Sequence, residues 1–526
     1  MSRNGAKLPK NASLCVLGVL LVIGAWPIPC IAGGVDGVLV PGVKQLAHAA
    51  RDFWAFIGPG GTLHPAYFLE HKGHIVVEAL LLAIICYLFL QHSFKPRAKS
   101  EDSLTEREID QLCREWQPEP LVPSLPEHDV PKSRLISGYD GKYIIADGCK
   151  ALNLATFNFL NLSGTAEQLS VAHAAVDKYG VGSCGPRGFY GTIDVHLQLE
   201  AELAQFMGTA QAIMYSYDIA TVSSIIPAFA NRKDTLVVDE CCAFPIQQGA
   251  VLSRASLHYF KHNDMADLER ILQAIEVQER KDRKPLTRRM IVVEGIYSNT
   301  GELAPLTQLL ALKNKYKYRL LVEESNSFGV LGKTGRGATE HWGVDPGQVD
   351  VVCASLGNSL GSVGGFCVGT EETVEHQRLS GSGYCFSASL PPYLAVAASS
   401  ALATLKTSGA PLLARLRSNA GSLRRELRQL AAFKLVEGPG TEVSPLIHLH
   451  LTQAPKDRAA AQALLQRIAD HALHKSGVLV AVPQYAAIER TKPRPSIRLC
   501  CSSELEDADI TAVASALKAA ARSILG

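Results

Sequence analysis

Val351-Val352-Cys353-Ala354-Ser355-Leu356-Gly357-Asn358-Ser359-Leu360-Gly361-Ser362-Val363-Gly364-Gly365-Phe366 changes character twice. It opens as a short β-branched run that fits a buried strand, continues as a loop of small residues, and closes in a glycine-rich turn. Outward from it, similar runs recur at Leu236–Val238, Ile291–Val293, Leu320–Val322 and Val349–Cys353. Helical patterns separate them, as at Met265–Val277 and Pro305–Tyr316. Strands alternating with helices predict a doubly wound α/β domain with a largely parallel sheet. Asp239, Glu294 and Glu323 each follow or end such a run. Ligands in these sheets bind outside the carboxyl ends of the strands, so the site is expected there.

The chain of 526 residues is long enough for more than one domain. Hydrophobic residues make up 47% of it, which excludes a disordered protein. A net charge of +2 and the lack of a long basic run or zinc-finger spacing give nucleic-acid binding no support. The 13 cysteines include the vicinal pairs Cys241-Cys242 and Cys500-Cys501 but no C-x-x-C, and they read as buried, reduced thiols rather than as disulfide partners or metal ligands.

Two apolar stretches precede the α/β pattern. Leu14–Trp26 follows Arg3, Lys7 and Lys10 and precedes Cys30, Ala32, Gly33 and Gly34, so residues 1–34 read as a secretory signal or an uncleaved anchor. The second stretch, about 75–94, is apolar apart from Glu78 and polar residues near its end, and just suffices to cross a bilayer. Lys95, Arg97 and Lys99 follow it, against Lys72 alone before it, which orients everything after Phe94 to the cytosol. Between the two, Val43, Leu46, Ala47, Ala50, Phe53, Trp54 and Ile57 recur at helical spacing, fitting an interfacial helix or one packed on a partner's membrane segment. Thr105-x-x-Glu108 is a capping box, Ile109, Leu112, Cys113 and Trp116 form one apolar face, and Pro118, Pro120, Pro123 and Pro126 make 101–137 a stiff tether. The large domain is expected over 138–430, its first part joining a small domain at 431–526.

Lys178-Tyr179-Gly180-Val181-Gly182-Ser183-Cys184-Gly185-Pro186-Arg187-Gly188-Phe189-Tyr190-Gly191-Thr192, followed by Val195-His196 and Leu199-Glu200, resembles the glycine-rich entry segment of the α-oxoamine synthases. Phe260-Lys261-His262-Asn263-Asp264, Glu294-Gly295-Ile296-Tyr297-Ser298, Gly332-x-x-Gly335-Arg336-Gly337 and the stretch quoted first match further landmarks of that family in order, over roughly 138–526. Trp116-Gln117-Pro118-Glu119-Pro120-Leu121 and the membrane segment resemble one branch, long-chain-base subunit one of eukaryotic serine palmitoyltransferase.

The resemblance implies a fold-type I, aminotransferase-like domain for pyridoxal phosphate, and it sharpens what has changed. In the family a Schiff-base lysine stands where this chain has Asn358, and an amide is not a nucleophile. The aspartate that faces the pyridinium nitrogen corresponds to Glu323, and the histidine three residues on corresponds to Asn326. The stacking histidine corresponds to Ala243, and the phosphate-proximal glycine falls near Asp218, whose charge would repel phosphate. Lys333, in the loop after Glu323, is an alternative base, and it also fits a solvent-exposed lysine in a glycine-rich turn. Cys184, Arg187, Phe189 and Tyr190 fall in the loop that lies at the subunit interface of the family's dimers; Arg187 could clamp a partner carboxylate or cap its own loop. Arg498 matches the arginine that holds the amino-acid carboxylate.

The implied role is a non-catalytic subunit without cofactor or metal of its own. Its partner, long-chain-base subunit two, would bring the lysine and the pyridoxal phosphate. The complex, in the endoplasmic reticulum membrane with its large domain cytosolic, would condense L-serine with palmitoyl-CoA to 3-ketodihydrosphingosine. A self-sufficient synthase and a regulatory membrane scaffold are the alternatives.

Overall fold

The computed structural model describes residues 80–88, 104–122, 133–283, 285 and 287–526. The chain divides into Met1–Asp129 and Val130–Gly526. In the first unit, residues 80–88 are helical, with Leu81, Ile85 and Leu88 exposed. No helix among the described residues is long and apolar enough to cross a membrane. The remainder of the expected 75–94 span, the 1–34 segment and the amphipathic stretch at 43–57 lie outside the described residues. A helix at Glu106–Glu115 carries the expected capping box: the Thr105 N–H donates to Glu108 Oε2 at 2.7 Å, and the Glu108 N–H donates to Thr105 Oγ1 at 3.4 Å. Ile109, Leu112 and Trp116 are exposed, and nothing in this helix is buried.

The second unit is built on a seven-stranded sheet. After β1 (Ile136–Asp140), β2 (Tyr143–Ala146) and β3 (Cys149–Asn153) come β4 (Gln211–Tyr215), β5 (Thr235–Asp239), β6 (Ser256–Phe260), β7 (Arg289–Glu294), β8 (Arg319–Glu323), β9 (Val351–Ser355) and β10 (Gly365–Gly369). The spatial order is β4-β10-β9-β8-β7-β5-β6. β10 runs antiparallel to both neighbours and the other pairings are parallel. β5 and β9 are buried along their whole length, as expected of strands covered by helices on both faces, and this is why they read as unbroken apolar runs.

Two differences from the sequence reading have local causes. β9 begins at Val351 rather than Val349, because Asp350 turns its carboxylate onto the Leu320 N–H (2.8 Å), Lys313 and Arg319 and closes the preceding turn. Gly365 and Phe366 belong to β10 and not to the glycine turn. A Cβ on Gly365 would meet Thr221 Oγ1 at 2.3 Å, so the glycine serves close packing.

A helix at Pro392–Arg428 leads into β11 (Phe433–Leu435), β12 (Leu446–Leu451), β13 (Val478–Leu479) and β14 (Ile497–Cys500). β11, β12 and β14 form an antiparallel sheet, while β13 adds in parallel to β3, so the start of this unit shares a sheet with its carboxyl-terminal part.

Candidate active site

The carboxyl ends of β5, β7 and β8 lie side by side and bring Asp239, Glu294 and Glu323 together, with Glu294 and Glu323 in direct register. All three are buried. Glu294 Oε1 accepts from the Ala243 N–H at 2.6 Å, and Oε2 accepts from the Ser298 N–H at 2.9 Å. Burial nevertheless pushes its carboxyl up to about 7. Glu323 accepts from the Ser325 N–H at 3.0 Å and from the Ser325 hydroxyl. Burial, with Glu294 beside it, pushes Glu323 up to about 8, so near neutrality it is held protonated.

Asn358 lies in the loop after β9, and its Nδ2 donates to Asn326 Oδ1 at 3.0 Å. Asn326 Nδ2 donates in turn to Ser298 Oγ at 2.7 Å and to the Ile296 carbonyl at 3.3 Å. The Asn358 carbonyl accepts from the Phe159 N–H at 3.1 Å. Asn326 and Asn358, two positions the resemblance sets against family site residues, are therefore bonded to each other. At the start of helix Asp218–Phe229, the Ser355 hydroxyl donates to Asp218 Oδ2 at 2.8 Å. Asp218 is exposed as a residue, with this oxygen turned onto the β9 loop. Gly357 is the residue that lets it in: a Cβ there would stand 3.0 Å from Asp218 Oδ2.

These residues do not fit pyridoxal phosphate. Position 358 offers an amide where a Schiff base needs an amine, and that amide is bonded to Asn326. Ala243 has no ring to stack, and it serves instead as the N-cap of helix Phe244–Ser253. The Ser355 hydroxyl, a donor that suits a phosphate, is given instead to the Asp218 carboxylate. Lys333 is exposed on the turn between Gly332 and Gly335, and none of the bonds that hold Glu323, Asn326 or Asn358 involves it.

Asp239 also belongs to a cluster around His262, a residue that sequence reading registered only as part of a family landmark. His262 Nδ1 bonds Asp239 at 2.9 Å, and Nε2 bonds Glu302 at 2.9 Å. Burial opposes protonation, but the two carboxylates prevail and lift the imidazole to about 9. Ligand-type atoms of Asp239, Cys241 and His262 lie within 4.8 Å of one another. Both ring nitrogens are taken by carboxylates, and burial followed by the surrounding acids pushes the Cys241 thiol up, so the group is bonded to itself as a hydrogen-bond network. No local spacing announces it, because its members come from three separate segments.

The glycine loop docks on segment 383–391. The Ser389 N–H donates to the Gly185 carbonyl at 2.9 Å, and the Ser183 hydroxyl donates to the Ser389 carbonyl at 2.8 Å. The approach is close: a Cβ on Gly191 would fall 1.9 Å from the Gly185 carbonyl oxygen. Arg187 points inward, with a bidentate pair to Glu200 at 2.8 and 2.9 Å, and its Nε donates to Thr192 Oγ1 at 3.0 Å. Cys184 is exposed at φ +59°, Phe189 is 70% exposed, and Tyr190 is fully exposed at φ +63°. Three side chains of this loop thus face outward while Arg187 braces it from below. Arg498, on β14, donates from one terminal nitrogen to the Ala155 carbonyl at 3.0 Å and lies 4.3 Å over the Phe157 ring. Its Nε is buried without a hydrogen-bond partner.

The family model for class I and II aminotransferases matches residues 150–517. The chain is 44% identical over 453 residues to long chain base biosynthesis protein 1b of Oryza sativa subsp. japonica, covering 86% of this chain and 92% of that one. It is 34% identical over 510 residues to serine palmitoyltransferase 1 of Saccharomyces cerevisiae, covering 86% and 90%. Among solved structures it is similar to the serine palmitoyltransferase of Sphingomonas wittichii, with a TM-score of 0.65, 27% identity, and 73% and 90% coverage of the two chains. A second structure, serine palmitoyltransferase with a pyridoxal-phosphate internal aldimine, gives a TM-score of 0.66 at 27% identity, covering 74% and 93%. The chain therefore belongs to the class I and II aminotransferase family, in the group of the long chain base biosynthesis proteins 1 and serine palmitoyltransferases 1.

Proposed function

We propose that this chain is the non-catalytic subunit of a serine palmitoyltransferase complex. The complex condenses L-serine with palmitoyl-CoA, with loss of carbon dioxide, to 3-ketodihydrosphingosine. The observation that carries the reading is the Asn358–Asn326 amide pair at the position of the family's lysine. A chain without that amine forms no Schiff base there, so the partner, long-chain-base subunit two, supplies both lysine and pyridoxal phosphate. This subunit stabilises the partner and presents Cys184, Phe189 and Tyr190, with Arg187 beneath them, at the interface near the shared site. The family resemblance gives Arg498 the substrate carboxylate, and its buried Nε without a hydrogen-bond partner is compatible with that role. The apolar segment at 75–94 anchors the assembly in the endoplasmic reticulum membrane, with the domain in the cytosol.

Affinity purification of the full chain from detergent-solubilised membranes tests this. A co-purifying chain of the same family that carries pyridoxal phosphate on a lysine is the expected result. Serine-dependent condensation by this chain without such a partner would overturn the proposal.

A further inference from the structure

The disagreement between this site and the family cofactor extends beyond position 358. Helix Asp218–Phe229 opens directly after β4, and its amino end would favour an anion. The Ser355 hydroxyl at the end of β9 points at the same place, 2.8 Å from Asp218 Oδ2. The Gly364 backbone amide, from the turn into β10, acts on the same carboxylate. Gly357 between them carries no side chain, and a Cβ there would stand 3.0 Å from that oxygen. A helix amino end, a hydroxyl and a backbone amide are donors that suit a phosphate monoester, and here the hydroxyl and the Gly364 amide face a carboxylate carried by the first residue of that helix.

We propose that Asp218 is a second, independent barrier to the cofactor: it takes up the donors a phosphate would use and repels that phosphate, so replacing Asn358 by lysine does not by itself restore cofactor binding. The inference rests on the reading that the native chain holds no pyridoxal phosphate. A phosphate sharing these donors with the Asp218 carboxylate would place two anions together, and a tenfold effect on binding requires only about 1.4 kcal/mol of that repulsion. Charge repulsion acts only on the phosphate. The barrier therefore disappears for a cofactor lacking it, which separates Asp218 from every defect that concerns the ring or the aldehyde.

The test uses the full chain in detergent, with its native partner, in three forms: Asn358→Lys, Asn358→Lys with Asp218→Gly, and Asn358→Lys with Asp218→Asn. Each is incubated with pyridoxal 5′-phosphate or with pyridoxal, reduced with borohydride and mapped for pyridoxyl-lysine at position 358. The expected result with pyridoxal 5′-phosphate is at least tenfold more labelling at low concentration in the double variants than in Asn358→Lys alone. With pyridoxal, all three are expected to label alike. The Asn variant keeps the size of the side chain and reports on charge even if glycine weakens the helix start. Equal labelling of single and double variants by pyridoxal 5′-phosphate, or an equal gain with pyridoxal, would overturn the proposal. Labelling of a native lysine in the unsubstituted chain would instead contradict the non-catalytic reading, and the two failures are distinguished by the peptide that carries the label.

Discussion

Glu323 ends a buried strand beside Glu294, and its pH behaviour follows from that position. A carboxyl raised from 4.5 to about 8 binds a proton in the folded chain that the unfolded chain has already lost. Its contribution to stability is therefore present at low pH and is lost as pH rises through that window. His262 acts in the same direction: raised to about 9, it contributes stability below its ordinary 6.5 that is lost as pH rises through the folded value. Glu323→Gln is expected to flatten the decline in melting temperature between pH 5.5 and 8.5, by the equivalent of about 2 kcal/mol or more. Thermal unfolding of the solubilised complex across that range checks this, and parallel curves for both forms would count against it. At 243, 323, 326 and 358 the sequence supplies the residue identities, and the resemblance alone supplies the family residues they are set against. The bond from Asn358 to Asn326 is not, since the partners lie on different loops. Arg187 leaves two roles open on paper, because an arginine suits either, and Glu200 shows where its guanidinium goes only in three dimensions.

At the scale of elements, the strands are the most legible part. Parallel strands buried on both faces carry unbroken apolar runs at their centres, and β5, β7, β8 and β9 have such runs, each closed by a polar residue. β10 escapes notice because its glycines look like a turn, although a Cβ on Gly365 would meet Thr221 and the Ala354 carbonyl oxygen of β9. The loop Gly182–Gly191 carries the prediction proper to this scale. Cys184 is exposed, so Cys184→Trp places its bulk outside the chain's own core and leaves the fold of this subunit intact. On the proposed reading, in which this loop borders the shared site, the same bulk is expected to displace reacting groups, and loss of orientation can reach about a hundredfold in rate. Turnover with serine, alanine and glycine in the reconstituted complex, at matched subunit levels, is the readout. Unchanged turnover and amino-acid preference would remove the loop from the neighbourhood of any active site.

For the whole molecule, hydropathy and flanking charge set the expectation of a membrane anchor before an α/β domain. Deleting residues 73–94 is expected to release the chain from membranes while the α/β unit stays folded, as judged by flotation and by thermal unfolding of the released fraction. Tags before Lys72 and after Lys99 are expected on opposite sides of the membrane; protease protection that places both in the cytosol would contradict the orientation.

The central claim is that a family fold persists here without the residue that binds the cofactor. The direct measurement is borohydride reduction of the purified native complex, followed by peptide mapping of each chain. Pyridoxyl-lysine is expected only on the partner, with none on this chain. A pyridoxyl-lysine on any peptide of this chain, Lys333 included, would contradict it.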